Sequence, residues 1–392
     1  MPSEFQKPIL SELESGLLQL EAKSQRRSLQ RIAGVNLCSN DYLGLSQSTL
    51  LREEIAEAVR RAERVGGTGS RLLSGHFEEW EELEKEFAEF AGTETALYFG
   101  SGYAANLGLL TSLLGKEDLV FSDELNHASI IDGIRLSGAR KVIYPHGDLD
   151  ALEAALRAHE AEICRKIVVT ETVFSMDGDI ADVGAIVVLA GRFGASVIVD
   201  EAHATAVHGP GGRGIAAATN NTDNVLAVLH TCGKALASAG AFVCGSVVLK
   251  EHLVNHARTF IFSTAMPPYM AAQIRAALRL ARGMDAQRAR LLATAKQFSS
   301  AMRSEGWDTS GTESQIVPAI IGSNEDALDA AEHLQKEGFA VKAIRPPTVQ
   351  EGKARLRFSL TSLIEQSELK RLQSSLNEWR ARKEIHAAAG RA

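Results

Sequence analysis

The sequence predicts an α/β fold in which a mostly parallel central sheet forms a large domain and a smaller C-terminal α/β domain follows. Two observations support this prediction. From about residue 96 to 250, short apolar runs alternate with helical patterns, which is typical of βαβ units. After about residue 285, strands and helices are mixed in a different order, which favours a separate unit. We therefore divide the chain into an N-terminal segment (1–45), a large domain (46–285) and a small domain (286–392).

The predicted strands of the large domain are short and end in polar residues or glycine, as expected where parallel strands face a ligand crevice. They are ALYF (96–99), LVF (119–121), KVIY (141–144), KIVVT (166–170), SVIVD (196–200), VLAVL (225–229) and FVCGSVVL (242–249). Before them, apolar residues at helical spacing predict a helix packed on the core and ended by Gly92: Trp80, Leu83, Phe87 and Phe90.

In the small domain the pattern predicts a helix, a strand, a second helix opened by Ser323 or Asn324, two further strands and a last helix. The first helix covers about 286–304, and the strands cover 316–321, 339–344 and 354–360. In the last of these strands Arg355 and Arg357 alternate with apolar residues, so both project from one face. An exposed strand face is the ordinary explanation for such a pair.

Composition and charge favour a small-molecule enzyme. The chain has 392 residues, of which 45% are apolar and 23% charged, and its net charge of −7 gives no reason to expect nucleic acid as a partner. The four cysteines show no CxxC spacing, and no spacing matches a structural zinc site, so we expect no metal. The N-terminus shows neither a signal peptide nor a membrane span, and we predict a cytoplasmic location.

GSGYAA (100–105) follows a predicted strand, opens a helix and matches a dinucleotide-binding fingerprint, with Asp123 about twenty positions further on. A nicotinamide oxidoreductase is therefore one interpretation. The loop itself requires only that free amides at a helix N-terminus bind an anion, whatever ligand carries the phosphate. A tight strand-to-helix turn without a ligand is the third alternative.

Asp200 ends a buried strand, where its charge needs a cationic partner, and His203 follows three residues later. Asp200 as a helix N-cap and His203 as a loop histidine is the ordinary alternative. Pyridoxal 5'-phosphate (PLP) would satisfy both residues, since its ring nitrogen is held protonated by a carboxylate, its aldehyde reacts with a lysine, and its phosphate suits a helix N-terminus. Lys234 follows the next predicted strand and supplies the amine; a surface lysine in a flexible loop is its alternative.

Motifs over nearly the whole chain, from about residue 10 to 380, resemble the α-oxoamine synthases, a family of fold-type-I PLP-dependent transferases. They are SNDYLGL (39–45), GTGSRLLSG (67–75), NHASIIDGIRLSGA (126–139), TETVFSMDGDIAD (170–182), DEAHATAVHGPGGRG (200–214), TCGKALASAGAF (231–242), FSTAMPP (262–268) and AIRPPTV (343–349). The resemblance is greatest to the biotin-pathway branch, which implies decarboxylating condensation of L-alanine with a pimeloyl thioester. CoA and acyl-carrier protein both remain as the thiol carrier.

The resemblance also implies roles for individual residues. Lys234 would carry the cofactor as a Schiff base, Asp200 would pair with its ring nitrogen, His203 would bind its phenolic oxygen, and His127 would stack on its ring. Further cofactor contacts would come from Gly102, Tyr103, Ser175 and Thr231. Thr264 would reach the cofactor phosphate of a neighbouring subunit, which implies a homodimer with a shared active site. Substrate contacts would come from Asn40, Arg345, Thr348 and Arg357.

Two alternatives within and outside the family stay open at this point. A sibling synthase would join glycine or serine to another acyl thioester, and a catalytically silent subunit would lack activity altogether. The sequence also departs from the family pattern at Ala206 and Ala237, where relatives often have glycine, and a positive φ would explain that glycine.

Overall fold

The structure is a computed structural model that describes residues 5–31, 33–219 and 222–389. The outermost ends of the two terminal segments proposed above, 1–4 and 390–392, lie outside the described residues. In chain order the helices are α1 (Lys7–Ala22), α2 (Thr49–Arg61), α3 (Glu78–Ala91), α4 (Gly102–Leu113), α5 (Ala128–Ser137), α6 (Leu149–Ala158), α7 (Val183–Arg192), α8 (Val247–His256), α9 (Arg258–Ile261), α10 (Pro268–Arg282), α11 (Asp285–Ser304), α12 (Asn324–Lys336) and α13 (Gln366–Ala389).

The strands include the predicted parallel set of the large domain. In chain order they are β1 (Val35–Asn36), β2 (Thr95–Phe99), β3 (Leu119–Asp123), β4 (Arg140–Tyr144), β5 (Lys166–Glu171), β6 (Ala195–Asp200), β7 (Val225–Thr231), β8 (Ala241–Gly245), β9 (Ile316–Gly322), β10 (Phe339–Ala340), β11 (Ala343–Ile344) and β12 (Ala354–Ser359). Short 3₁₀ turns connect several of them.

Within the described residues, seven strands form the central sheet in the order β2-β8-β7-β6-β5-β3-β4. Only β8 is antiparallel to its neighbours, β2 and β7, and the other strand pairs of this sheet are parallel. The carboxyl ends of β5, β6 and β7 therefore meet at one edge, where Glu171 lies in register with Asp200. This edge collects the side chains on which the candidate active site is built.

Burial on both faces of the sheet explains why the sequences of the central strands are continuous apolar runs. Val197, Ile198 and Val199 of β6 are all buried, because helices cover both faces of a parallel sheet. On one face α3 buries its aromatic stripe, with Phe87 stacked on Phe242 at a ring-centroid distance of 3.9 Å. Gly92 caps α3 in a left-handed conformation, so the predicted helix and its end are confirmed.

Two predicted strands were wrong in extent. FVCGSVVL is a strand only as far as Gly245, because the hydroxyl of Ser246 accepts a hydrogen bond from the amide of Leu249 and so begins α8. FAVKAI is two strands, since β10 pairs with β1 whereas β11 pairs with β12. The partner of β10 is Val35–Asn36 near the start of the chain, so local patterns did not show the break.

The C-terminal part contains a three-stranded antiparallel sheet within the described residues, in the order β11-β12-β9. The predicted Ser323 cap of α12 is present, with its hydroxyl accepting from the amide of Asp326. α10 ends at Arg282 and α11 begins at Asp285, and we keep 285 as the proposed boundary between the large and small domains. One apolar cluster nevertheless joins Leu37, Phe87 and Phe358, one from each proposed segment.

Candidate active site

Thr231, at the end of β7, lies beside the N-terminus of α4. A side-chain carbon on Gly102 would approach Thr231 Oγ1 to 3.8 Å, and the Gly233 amide donates to the same oxygen over 3.4 Å. Ser101 caps α4 by accepting from the amide of Ala104, which leaves the earlier amides of the first turn without partners inside the helix. The structure thus brings predicted Gly102 and Thr231 together as a cradle suited to a phosphate.

Lys234 is partly buried at this edge and contacts predicted His203. Its Nζ lies 2.8 Å from Nε2 of His203. Desolvation lowers the pKa of Lys234 to about 8, although the neighbouring carboxyl groups of Asp200 and Glu171 oppose the shift. Burial and the positive charge of Lys234 also lower the pKa of His203 well below its usual value. The amine is therefore available as a nucleophile near neutral pH.

A hydrogen-bonded chain continues from His203 to the N-terminal segment. Nδ1 of His203 lies 2.6 Å from the hydroxyl of Tyr42, which donates to Oδ1 of Asn40 over 3.1 Å. That oxygen also accepts from Arg357 over 3.1 Å. The sequence analysis included three of these residues but not Tyr42, whose only signal was its place in the motif SNDYLGL.

Asp200 is nearly fully buried, as predicted, but its hydrogen bonds come from neutral groups. Its Oδ2 accepts from Nδ2 of Asn106 over 2.7 Å, and its Oδ1 accepts from the Ala202 amide over 2.8 Å. Among the described residues no cation forms an ion pair with this carboxylate at hydrogen-bond distance. A buried carboxylate in that state favours a protonated partner from outside the chain.

Glu171 is a second buried carboxyl group that the sequence analysis missed. It lies in register with Asp200 on the neighbouring strand, so both side chains project from the same face of the sheet. Its Oε1 has no hydrogen-bond partner among the described residues. Burial raises its pKa well above the usual range, and the charge of Asp200 adds to the rise. The place of Glu171 in TETVFSMDG, directly after an apolar strand, was the available signal.

His127 stands at the mouth of the site. It caps α5, because its Nδ1 accepts from the Ser129 amide over 3.2 Å. Its ring lies edge-on to that of Tyr103, with centroids 6.4 Å apart, and the Tyr103 hydroxyl donates to Asp132. His127 is exposed on its open side, and partial burial together with the charge of Lys234 lowers its pKa.

Arg357 is buried beside Asn40 and Ser175, which joins three predicted site residues. Its Nε donates to the carbonyl oxygen of Ser175 and its Nη1 to Asn40, whereas its Nη2 has no partner among the described residues. Arg355 on the same face is also buried and pairs with Asp177. The exposed-face explanation for the two arginines is therefore wrong, and the N–H groups on Nη2 of Arg357 remain available to an anion.

Arg345 and Thr348 lie together and contact Arg27, which the sequence analysis missed. Arg27 donates to the carbonyl of Pro346 over 3.2 Å and to Oγ1 of Thr348 over 3.4 Å. Nε of Arg345 is buried without a partner among the described residues, and burial with the charge of Arg27 lowers its pKa. A cleft of about 320 Å³ runs from Ser175 to Thr348.

Thr264 is exposed and does not join the other predicted site residues through any hydrogen bond within the described chain. It pairs with Ser70 in an isolated β-bridge, and the neighbouring Ala265 amide donates to the carbonyl of Gly69 over 2.9 Å. Around it, Leu73 and Phe262 are 84% and 70% exposed. The role predicted for Thr264 requires a second subunit.

Ala206 and Ala237 adopt the left-handed conformation, with φ of 64° and 44°. Ala237 closes the turn that carries Lys234, since its amide donates to the Lys234 carbonyl over 2.9 Å. Its own carbonyl accepts from Gln273 of α10 over 3.1 Å. The positive φ explains why glycine suits these positions, and the bonds around Ala237 hold the strained conformation in place.

His146 connects the end of β3, the strand before His127, to the hairpin that carries Ser175. Its Nδ1 lies 2.8 Å from Asp123 and its Nε2 lies 2.9 Å from Asp179. Burial alone would lower the pKa of His146, but the hydrogen bonds that its ring donates to both carboxylates outweigh burial and raise the pKa to about 10. His146 is therefore a cation that positions both sides of the site.

The donor set fits PLP. A partly buried amine, a buried carboxylate that pairs with no cation among the described residues and a helix N-terminus next to a threonine hydroxyl match the aldehyde, the ring nitrogen and the phosphate of this cofactor. The residues that would hold the cofactor come from β6, from β7, from the turns that follow these strands and from the N-terminus of α4.

Residues 32–376 match the model of the aminotransferase class I and II family, so the chain belongs to this family. Among its relatives is the 8-amino-7-oxononanoate synthase of Geobacter sulfurreducens, 45% identical over 92% of this chain and 95% of the relative. The synthase of the same name from Burkholderia thailandensis is 43% identical over 94% of this chain and 98% of the relative.

Solved structures agree with this assignment. Serine palmitoyltransferase from S. paucimobilis, with a bound PLP–myriocin aldimine, superposes with a TM-score of 0.86 at 27% identity, over 97% of this chain and 100% of that one. The 8-amino-7-oxononanoate synthase of Francisella tularensis superposes with a TM-score of 0.75 at 28% identity, over 90% and 99% of the two chains. The predicted family and the fold type I architecture are confirmed.

We expect Ala237→Gly to raise the free energy of unfolding by about 0.5–1 kcal/mol, because relief of the left-handed strain exceeds the added freedom of the unfolded chain. Ala239→Gly is the matched control, since Ala239 lies two residues further on without a positive φ and should lose stability. Urea unfolding of both variants measures the difference. Equal losses in the two variants would contradict the strain at Ala237.

His146 should make stability depend on alkaline pH. Its pKa is about 10 in the folded chain and near 6.5 when unfolded, so its stabilisation is complete below pH 6.5 and disappears as pH rises towards 10. We expect His146→Gln to be less stable than wild type at pH 6.5, with the gap closing by pH 10. Melting temperatures across this range test it, and a gap that does not change with pH would disprove it.

Proposed function

We propose that this protein condenses L-alanine with a pimeloyl thioester to give 8-amino-7-oxononanoate, CO₂ and a free thiol, as a PLP-dependent step of biotin biosynthesis. The observation that carries the proposal is the partly buried Lys234 amine, which contacts His203 at the sheet edge that also holds Asp200. Synthases of this name with 45% and 43% identity over nearly the full chain support the choice of substrates.

PLP, bound to Lys234, supplies an electron sink for the charge that develops at the alanine Cα. Asp200 faces the ring nitrogen and stabilises its protonated form. Lys234, with a pKa of about 8, has a substantial unprotonated fraction near neutral pH and takes the Cα proton on Nζ. The free Nη2 of Arg357 binds the alanine carboxylate, a pairing that guanidinium geometry favours.

The Tyr42 hydroxyl lets His203 change the direction of its hydrogen bonds. In this structure Nε2 of His203 lies against the Lys234 amine, and Tyr42 donates to Asn40. With PLP bound to Lys234, Tyr42 could turn its proton to Nδ1 of His203, and Nε2 would then carry a hydrogen available to the phenolic oxygen of the cofactor. Asn40 keeps Arg357 as a donor in both arrangements.

The acyl substrate is assigned to the cleft between Ser175 and Thr348. Arg27 and Arg345 lie at the Thr348 end, where the unpaired Nε of Arg345 offers a donor for the distal carboxylate of the pimeloyl group. His127, which is exposed beside Tyr103, would stack on the cofactor and donate to the thioester carbonyl. CoA and acyl-carrier protein are both proposed as carriers of the thioester.

A homodimer with a shared site accounts for several exposed apolar residues. α1 contains no buried residue, and its Ile9, Leu13 and Leu18 are largely exposed. Leu73 and Phe262 expose a second apolar area next to Thr264. Burial of these surfaces against a second copy would place Thr264 at the partner's cofactor phosphate, which is its predicted role.

Two features of the described residues are relevant to the cellular location of the protein. No helix among them has the length and apolar character that a membrane crossing needs. All four cysteines are free thiols, two of them buried. The free thiols support the proposed cytoplasmic location, where disulfides are rare.

The assay combines PLP, alanine and pimeloyl-CoA or pimeloyl-acyl-carrier protein. We expect thiol release and 8-amino-7-oxononanoate with at least one carrier, and a borohydride-stable cofactor adduct at Lys234. Lys234→Ala should abolish both product and adduct, because it removes the amine proposed to form the Schiff base. Turnover of glycine or serine with a shorter acyl thioester, and none with pimeloyl donors, would instead assign the sibling activity; no turnover at all with the adduct formed would favour a silent subunit.

Mixed dimers test the shared site. We expect Thr264→Val to weaken PLP binding roughly tenfold, because a hydrogen bond to a charged phosphate is lost. Lys234→Ala is inactive by itself. Random mixing of the two variants at limiting PLP should recover about a quarter of wild-type activity, since half of the dimers contain one intact site of two. A mixture no more active than Thr264→Val alone would place Thr264 at its own subunit's site or at none.

A further inference from the structure

Asn106 connects two catalytic groups that come from different elements. It is buried in α4, and its Nδ2 donates to Oδ2 of Asp200 over 2.7 Å and to Oγ of Ser129 over 3.0 Å. Oγ of Ser129 lies 2.7 Å from Nδ1 of His127. One amide group thus reaches the carboxylate at the end of β6 and, through one hydroxyl, the histidine at the start of α5.

The direction of each bond in this chain follows from its donors. The Ser129 backbone amide lies 3.2 Å from Nδ1 of His127 and can only donate, so Nδ1 is an acceptor without a proton. The Ser129 hydroxyl must then donate to the same nitrogen. A carboxylate accepts only, so the NH₂ end of Asn106 faces Asp200, and its second hydrogen is available for Ser129. Every hydrogen therefore points from Asn106 towards Asp200 or His127.

We propose that Asn106 is a positioning residue for two catalytic groups: its amide orients the Asp200 carboxylate and, through Ser129, keeps the proton of His127 on Nε2. This inference rests on the function proposed above. Nε2 is the ring nitrogen that points away from buried Ser129, so the donor faces the open side of His127. Without Asn106 the hydroxyl can rotate, accept a hydrogen from Nδ1 and so stabilise a protonated His127.

A merely structural role is the alternative, because a buried asparagine often does no more than satisfy neighbouring polar groups. The positioning role and the structural role differ in which groups accept the hydrogen bonds of Asn106. Both acceptors of Asn106 lead to groups that face the cofactor, and neither is a backbone carbonyl. Thr111, further along the same helix, donates to the carbonyl of Leu107 and serves as the structural counterpart.

The first test needs neither cofactor nor turnover. NMR titration of the apoenzyme, with His127→Gln to assign the signal, gives the pKa of His127, which the charges of Asp200 and Lys234 also influence. We expect a rise of roughly one unit in Asn106→Ala and in Ser129→Ala, since a donor to the neutral ring is lost or released. Ser129→Thr keeps the hydroxyl and should match wild type, as should Thr111→Ala.

The second test distinguishes the hydrogen bond that Asn106 donates to Asp200 from the one that it donates to Ser129. PLP affinity of the apoenzyme, measured by absorbance titration, should fall roughly tenfold in Asn106→Ala and change little in Ser129→Ala, because only the first variant frees Asp200. In both variants kcat should fall roughly 10- to 100-fold, with KM for alanine within about threefold, as expected for a lost partner that orients a reactive histidine.

An unchanged His127 pKa in both Asn106→Ala and Ser129→Ala overturns the proposal, even if activity falls. If Asn106→Ala does not fold, the comparison of Ser129→Ala with Ser129→Thr decides by the same readout. A protein that lacks the synthase activity altogether but shows the pKa rise and the loss of PLP affinity would refute the proposed function and leave the positioning role intact.

Discussion

The candidate active site depends on a carboxylate that the fold buries without a cation. Asp200 ends a strand that is covered on both faces, and within the part of the chain that the structure describes its two oxygens accept from the amides of Asn106 and Ala202 and from no cation. Removing a charge from water in this way costs several kcal/mol unless a partner arrives. A protonated ring nitrogen is such a partner, so the arrangement that destabilises the empty chain is the one that favours binding of the cofactor.

The same burial gives the two site histidines different properties. His203 and His127 both have lowered pKa values, so both are neutral near pH 7. The proton of His127 is held on Nε2, because the Ser129 amide and the Ser129 hydroxyl, which Asn106 orients, both donate to Nδ1. That of His203 can change, because the Tyr42 hydroxyl can donate or accept. A fixed donor suits a developing carbonyl charge, and a reversible one suits a residue that meets first an amine and then a phenolic oxygen.

The sequence was sufficient for those parts of the site that follow from position along a strand. Asp200 and Thr231 each end an apolar run, Lys234 comes directly after the second, and α4 begins at the predicted glycine loop. Asn106 could not be found in this way, because one polar residue in an apolar helix has no periodic signal and its partners lie 94 and 23 residues away. Arg27 was missed for the same reason, since its contact with Thr348 joins residues 321 positions apart.

Glu171 could have been identified by the same reasoning about strand ends. Its position beside Asp200 limits the negative charge that the site can hold. Parallel register sets it beside Asp200, and two carboxylates that close and that deeply buried cannot both be ionised at low cost. Asp200 accepts from two amide donors, whereas Glu171 has a buried oxygen without a partner among the described residues, and burial raises its pKa, which favours its neutral form. The charge of Asp200 opposes the lowering of the Lys234 pKa, so the carboxylate at the end of β6 helps the amine to hold the proton that it takes up.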